Sequence, residues 1–371
     1  MVPGWSIREG AGMGKLARAM ALAGAFLLSA VMAAPVSAQK SPQPEQLLTR
    51  IAFGSCAHQE LPQPVWDAVL AYKPELFLFT GDNVYGDILG GKTVPEGEVL
   101  SSLAIAYAKA ETIPGYRALR ETVPHLAVWD DHDYGKNDGG GEFVHRDASQ
   151  KMFVNFWKLR ENDPRQSRAG LYHAETYGPQ GRRVQVILLD TRSFRSAWKP
   201  TDQRGAKGRE RYIPDADPDK TMLGTVQWAW LAERLQEPAD IRIVVSSIQV
   251  LAEEHGFERW AAFPAERARL LALLQEAKGQ VVIVSGDRHI GAVYQQPTQG
   301  AVSLAEVTSS GLTHAYAGAD EPGANRVGAL FGAPNFGTFE IDWWAGTLTM
   351  SVRAINGEPV RQHRLDLIRR P

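Results

Sequence analysis

The chain has a single cysteine, Cys56, among its 371 residues. One thiol cannot close a disulfide within the chain, so no disulfide framework holds the fold. Basic residues are not in excess either. Lys and Arg number 40 against 42 Asp and Glu, for a formal charge of −2. That balance argues against a general nucleic-acid binder, which carries a basic surplus. There is no internal repeat and no long low-complexity linker, which removes solenoid architectures. Only one apolar run, residues 19–34, approaches the length of a membrane span, and it is too short and wrongly flanked for one. At 44% hydrophobic and 22% charged residues, the composition is that of a globular protein and not a disordered one. The length accommodates one large domain or two small ones.

The apolar run has a different meaning. Lys15 and Arg18 precede it, and Pro35-Val36-Ser37-Ala38 follows it. A basic start, an apolar middle and small residues at the −3 and −1 positions make a secretory signal cleaved after Ala38. No Arg-Arg pair precedes the run, which favours the general secretory route over the twin-arginine one. The expected organisation is a signal peptide over residues 1–38, a mobile mature N-terminus over 39–48 containing Pro42 and Pro44, and one domain over 49–371. The mature protein is expected in the periplasm or outside the cell. Cleavage removes Arg8, Glu9, Lys15 and Arg18 and leaves a mildly acidic chain. With one thiol and no disulfide, its stability has to come from a buried core, which a chain of this length can supply.

Past residue 49, apolar segments alternate with amphipathic ones. Residues 50–54, 75–80, 125–129, 184–189, 241–246 and 280–285 read as strands. Residues 61–70, 104–119 (broken at Pro114-Gly115), 150–159, 225–235 and 265–277 read as helices. Such alternation predicts parallel βαβ units, an α/β fold. After Ser303 the pattern becomes strand and turn, at 336–343, 347–354 and 362–367. This predicts an antiparallel tail that forms a second sheet or extends the edge of a mixed one.

In open α/β sheets ligands bind beyond the carboxyl ends of the strands. Four of those ends carry unusual chemistry: Gly54-Ser55-Cys56, Gly81-Asp82-Asn83-Val84-Tyr85, Asp130-Asp131-His132-Asp133 and Gly286-Asp287-Arg288-His289. Thiol, carboxylate, phenol and imidazole are all metal ligands once deprotonated. Carboxylates at adjacent strand ends repel one another unless a cation lies between them. Only Arg288 is adjacent, so a multivalent metal is the simplest partner for Asp82, Asp131 and Asp287. Two metals need a bridging ligand, and Asp82 is the natural candidate. Singly, each string has an ordinary reading: a Gly-Asp turn, a buried small cysteine, a solvated acidic loop. Four coincidences at four strand ends point to a metal site. The i, i+2 spacing of Asp287 and His289 places both on one face of an extended segment, with Arg288 on the other.

These strings resemble the alkaline phosphatase D (PhoD-like) branch of the calcineurin-type metallophosphoesterases. The resemblance rests on Phe53-Gly54-Ser55-Cys56, on Gly81-Asp82-Asn83-Val84-Tyr85-Gly86-Asp87, on Trp129-Asp130-Asp131-His132-Asp133-Tyr134-Gly135 with Asn137-Asp138, and on Ser285-Gly286-Asp287-Arg288-His289. Leu189-Asp190-Thr191-Arg192, Gln227-Trp228 and Phe263-Pro264-Ala265-Glu266-Arg267 support it. It is strong over about residues 50–295 and weak in the tail. It implies a four-layer α/β/β/α sandwich and phosphoester hydrolysis, as an alkaline phosphatase or phosphodiesterase. It implies ferric iron and calcium as cofactors, with Cys56 and Tyr85 on the iron, Asp82 bridging, and Asp131, Asp287 and His289 completing the ligand set. The Asp-x-His that opens most metallophosphoesterases is missing, and Cys56 stands near its place. The residues speak to the metals independently. Thiolate and phenolate suit a redox-capable trivalent ion better than magnesium. Carboxylates suit a hard second cation such as calcium or manganese.

The expected reaction is attack on phosphorus by a metal-activated hydroxide on a small phosphoester substrate. His132 is the candidate general acid, with a hydrogen bond to a carboxylate as its alternative role. Arg288 and Asn137 are candidate substrate contacts, although strand alternation turns Arg288 away from the ligands. Asp190 and Arg192 are expected to form a supporting ion pair. Trp228, Trp230 and Trp260 are expected to anchor the core. His255 is left open between an outer ligand and a surface loop. His58, His125, His145, His173, His314 and His363 fit no pattern. The alternatives are a metal- or phosphate-binding protein without catalysis on the same scaffold, and a hydrolase of another ester class. Oligomeric state has no signature in the sequence. Export can be checked directly: N-terminal sequencing of the secreted protein should begin at Gln39, and a chain that retains residues 19–34 would contradict a cleaved signal.

Overall fold

A computed structural model describes residues 42–296 and 304–367. The expected signal peptide, and residues 39–41 of the expected mature N-terminus, lie outside the described residues. Residues 42–48 are tied to the domain. Leu48 is buried, its carbonyl accepts from Trp343 Nε1 at 2.8 Å, and Pro44 O accepts from Gly178 N at 2.7 Å.

In chain order the strands are β1 (Arg50–Gly54), β2 (Leu76–Thr80), β3 (Ile88–Leu89), β4 (Lys92–Thr93), β5 (His125–Val128), β6 (His173–Tyr177), β7 (Val184–Leu188), β8 (Ile241–Val245), β9 (Gln280–Ser285), β10 (Gly291–Gln296), β11 (Leu304–Ser309), β12 (Asn335–Asp342), β13 (Thr347–Ala354) and β14 (Pro359–Asp366). The helices are α1 (Val65–Tyr72), α2 (Val99–Ala110), α3 (Pro114–Thr122), α4 (Asp131–Tyr134), α5 (Arg146–Phe156), α6 (Gly224–Gln236) and α7 (Pro264–Glu276). One sheet has the order β14-β13-β12-β1-β2-β5 and the other β10-β11-β9-β8-β7-β6. β1, β2 and β5 run parallel, as do β7, β8, β9 and β11.

The continuous apolar runs have a physical reason. β2, β7, β8 and β9 are buried at every residue, which requires cover on both faces. Val184, Val186 and Leu188 of β7 join the core shared with the first sheet, while Ile187 joins the core beneath α6 and α7. Trp228, Leu231 and Leu235 of α6 and Leu270, Leu271 and Leu274 of α7 close that second core. Trp66 of α1, Leu103 of α2, Tyr116 of α3 and Phe153 of α5 belong to the first. The layers are therefore α/β/β/α, as the resemblance implies.

Several boundaries differ from the sequence reading. Residues 104–119 do not form one broken helix. α2 starts earlier, at Val99, and Pro114 opens a separate helix α3. Proline suits that first position, where its missing N–H is not needed. The antiparallel tail takes the second of its two expected forms: β12 pairs antiparallel with β1 and extends the first sheet. β3, β4, β6, β10 and β11 are additional strands. β6, His-Ala-Glu-Thr-Tyr, is a sheet-edge strand of mostly half-buried residues, so it lacks an apolar run.

The β1–β12 junction leaves no room for a side chain at Gly337. It faces Phe53 across the ladder, and a Cβ there would lie 2.1 Å from Phe53 Cε2. Gly337→Ala should destabilise the fold by about 1–3 kcal/mol through overpacking, measured by denaturant unfolding; an unchanged midpoint would show that Phe53 gives way freely.

Candidate metal centre

The two sheets bring the carboxyl ends of β1, β2, β5 and β9 to one place. Lacing between loops holds them there: Cys56 N donates to Gly81 O at 3.4 Å and Ala57 N to Asp82 O at 2.9 Å. Gly81 has φ +113°, and a Cβ on it would lie 2.5 Å from Asp130 Cβ, so the β2 and β5 tips can meet only with glycine here. After β11, Leu312 N donates to Ser55 O and Thr313 N to Cys56 O, which folds the following loop over the same tips.

The cleft they form has a volume of about 260 Å³. Asp82, Tyr85, Asp131, His132, Asn137, Asp287, Arg288 and His289 all line it. Cys56 lies beneath, fully buried, with Sγ 3.3 Å from Asp82 Oδ2 and 3.1 Å from Ser310 Oγ. Tyr85 OH is 3.2 Å from His289 Nε2, and the Tyr85 ring stacks on His132 at 4.1 Å. Every sequence-predicted site residue is thus in or against one cleft.

Ligand-type atoms cluster in overlapping groups whose members lie within 4.8 Å of one another: Cys56, Asp82 and His289; Asp82, Asp131 and His132; Asp130, Asp131 and Asp287; Asp131, Asp138 and Glu258. Asp82 belongs to two of them. A cation fits this donor set on independent grounds. Asp131 Oδ1 and His289 Nδ1 are buried with no hydrogen-bond partner, and buried polar atoms are rarely left unpaired. Burial, followed by the charge of neighbouring Asp131, pushes the Asp82 carboxyl up. Burial and then Glu258 do the same to Asp287, and burial and then Asp82 raise the Cys56 thiol. Burial thus disfavours their charged forms, and a cation among them would favour the deprotonated, metal-binding forms. Asp131 differs. Burial pushes it up, but His132, Arg192 and the Asp138 N–H, which donates to its Oδ2 at 2.7 Å, outweigh burial and hold it low.

The structure corrects three readings of the sequence. Asp287 and His289 do not lie on an extended segment. Their φ values are +65° and +52°, and the turn brings Asp287, Arg288 and His289 all to the cleft. Arg288 therefore faces the ligands, with its guanidinium paired to Glu321. Asp190 does not pair with Arg192. It accepts from the N–H groups of Leu171, Arg192 and Ser193, whereas the fully buried Arg192 guanidinium spans Asp130 and Glu258, reaching Glu258 Oε1 at 2.6 Å. Asp130 is thereby compensated by protein. His255 is no surface residue: it is 1% exposed, with burial lowering its pKa. Trp228 and Trp260 are core residues, with indole N–H groups bonded to Glu266 and Ser246. Trp230 is half-buried, packed against Tyr172.

Sequence reasoning missed several lining residues. His58 stacks on Tyr85 at 4.4 Å, and His314 meets the His289 ring at 4.1 Å. Arg211, Phe257, Glu258 and Tyr316 arrive from loops without a periodic pattern. Asn137 lines the cleft, and its N–H donates to Asp87 Oδ2 at 3.0 Å. Asp87 was within reach of sequence reasoning, five residues past Asp82 in the same string. Its Oδ1 lies 2.6 Å from His132 Nδ1. With Asp87 as the acceptor, Nδ1–H is the donor and Nε2 is left to the cleft. Burial depresses the His132 pKa, but Asp131, Asp82 and Asp87 together raise it well above the usual range.

The sequence matches the family model of the PhoD-like phosphatases over residues 51–335. The chain belongs to that family. It is accordingly a metal-dependent phosphoester hydrolase. Among solved structures it is similar to PhoD, with a TM-score of 0.68 at 17% identity over 88% of this chain and 70% of that one. It is similar to a purple acid phosphatase from yellow lupin (Lupinus luteus) seeds, with a TM-score of 0.59 at 14% identity, covering 88% of this chain but only 55% of the lupin enzyme. A dimetal phosphatase from Danio rerio gives a TM-score of 0.51 at 12% identity, with 86% of this chain and 99% of that one covered. At these identities the likeness is one of fold. No curated protein sequence matches the phosphatase.

Asp87→Asn keeps the size of the side chain that orients His132 and removes its charge. Turnover should fall roughly 10–100-fold with metal content unchanged, read by steady-state kinetics alongside metal analysis. Full activity would mean that His132 needs no such partner.

Proposed function

We propose that the phosphatase hydrolyses small phosphomonoesters or phosphodiesters outside the cytoplasm at the Cys56–Asp82–His289 cleft. The observation that carries this reading is the sharing of Asp82 between the sulfur- and histidine-containing group and the carboxylate group. Cys56, Tyr85, Asp82 and His289 would hold ferric iron, since anionic sulfur and phenolate favour a trivalent ion. Asp82, Asp131 and Asp287 would hold calcium or manganese, whose preference is for oxygen. A metal pair supplies Lewis acidity toward the phosphoryl group and lowers the pKa of water.

The remaining steps belong to the protein. Asp87 holds Nδ1–H of His132 and fixes its ring, so that Nε2 can give its proton to the leaving oxygen as the P–O bond breaks. Water supplies the oxygen of the new bond to phosphorus. The stacking of Tyr85 between His58 and His132 supports the ring orientation. The secretory pattern over residues 1–38 supports export, and among the described residues no helix is long and apolar enough to cross a membrane.

Asp82→Ala should lose both metals and turnover, and Cys56→Ala should lose the iron. Elemental analysis and a panel of mono- and diesters check both. Ferric thiolate or phenolate gives a visible charge-transfer band, so a colourless, active, iron-free enzyme would reject iron. Retained metal and activity in Asp82→Ala would sink the site assignment, and an inert metal-loaded protein would favour binding without catalysis.

A further inference from the structure

Two arginines line the cleft, and each is held by a carboxylate. Arg211 Nη1 lies 2.7 Å from Asp138 Oδ2. Arg288 Nη2 pairs with Glu321 Oε1, and these side chains are only 7% and 9% exposed. Glu321 comes from the long connection between β11 and β12, which also brings His314 and Tyr316 to the cleft. Arg326 Nη1 donates to the Glu321 carbonyl and holds that stretch of the loop. The Arg288 guanidinium lies over Phe257, 3.7 Å from the ring centroid.

The Arg288–Glu321 pair is incompletely satisfied. Arg288 Nε and Glu321 Oε2 are buried with no hydrogen-bond partner. A buried pair with a donor and an acceptor left over is costly to the fold. It does not serve the core, because it stands in the wall of the cleft between two ligand positions. Five lining side chains, Asp82, Asp131, Asp138, Glu258 and Asp287, are acids.

We propose that Glu321 is a specificity-determining positioning residue: by keeping Arg288 in a neutral pair, it denies the cleft a free cation and disfavours doubly charged phosphoryl groups. This rests on the phosphoester reading above. A diester carries one negative charge at any working pH, whereas a monoester or inorganic phosphate carries nearly two above its second pKa of about 6. A freed guanidinium would match two phosphate oxygens with its planar fork. Glu321 thus tilts the cleft toward diesters without touching the substrate.

Glu321→Gln removes the charge and keeps the shape. On the metal-loaded enzyme, calorimetry should show inorganic phosphate binding about tenfold more tightly, the scale of one charge-assisted hydrogen bond. The ratio of kcat/KM for 4-nitrophenyl phosphate over bis(4-nitrophenyl) phosphate should rise by a similar factor, through KM and not kcat. Glu321→Asp keeps the charge and should retain the parental ratio, whereas a purely structural role would disturb both variants alike. Glu321→Ser, in an irregular loop, reads the same quantity should the glutamine variant not fold. In Arg288→Met/Glu321→Gln the gain should vanish. An unchanged phosphate affinity, a gain that persists without Arg288, or a loss of metal showing that Arg288 turns to Asp287 would each overturn the proposal. If no phosphoester is hydrolysed at all, the functional reading fails, while phosphate binding still decides the role of Glu321.

Discussion

Negative charge buried at the ends of parallel strands is the constraint on which this molecule depends. An isolated buried carboxylate costs several kcal/mol or gives up its charge. The fold answers that cost in two ways. Arg192, itself without exposure, lies between Asp130 and Glu258 and offsets both. Asp82, Asp131 and Asp287, which also line the cleft, have no Lys or Arg within ion-pair distance among the described residues. The same low-dielectric setting that makes them costly would strengthen their attraction to a cation. The near-neutral charge of the whole chain conceals this concentration.

Backbone strain follows the same geography. Seven non-glycine residues among those described have positive φ, and Cys56, Asp82, Asp138, Asp287 and His289 are five of them. Each such conformation costs of order 1–3 kcal/mol and persists only where its surroundings over-determine it. Here the surroundings are two sheets buried between helix layers, with loop-to-loop hydrogen bonds such as Ala57 N to Asp82 O. The core therefore supplies rigidity to the site as well as stability to the chain. His132 gains a further support, from Asp87 at its Nδ1 and Tyr85 stacked on its ring.

Much of this was legible in the amino-acid order. β2, β7, β8 and β9 are buried on both faces, so their apolar runs were unambiguous. The strings at the strand ends are short enough that a left-handed turn changes side-chain direction but not membership of the site. Asp287 and His289 therefore share the cleft although they reach it through a turn and not, as their spacing predicts, on one face of an extended segment. Helix boundaries were softer, since Pro114 marks the start of α3 as readily as a break in a longer helix. β6 was invisible because an edge strand of half-buried polar residues has no apolar signature. Glu258, Arg211, Phe257, His314 and Glu321 sit in irregular loops far apart in sequence, where neither periodicity nor spacing reports a shared destination.

The sequence by itself determined the layered α/β plan and the acidic and sulfur-bearing strand ends. Both follow from local rules: burial demands apolar runs, and chain order puts each acidic or sulfur-bearing tip directly after its strand. Tertiary structure alone decided which charges are neutralised by protein and which are left for a cation. Arg192 reaches Asp130 across 62 residues and Glu258 across 66, and Glu321 reaches Arg288 across 33. Electrostatic compensation depends on distance in space, and only the packing of the two sheets and their loops sets that distance.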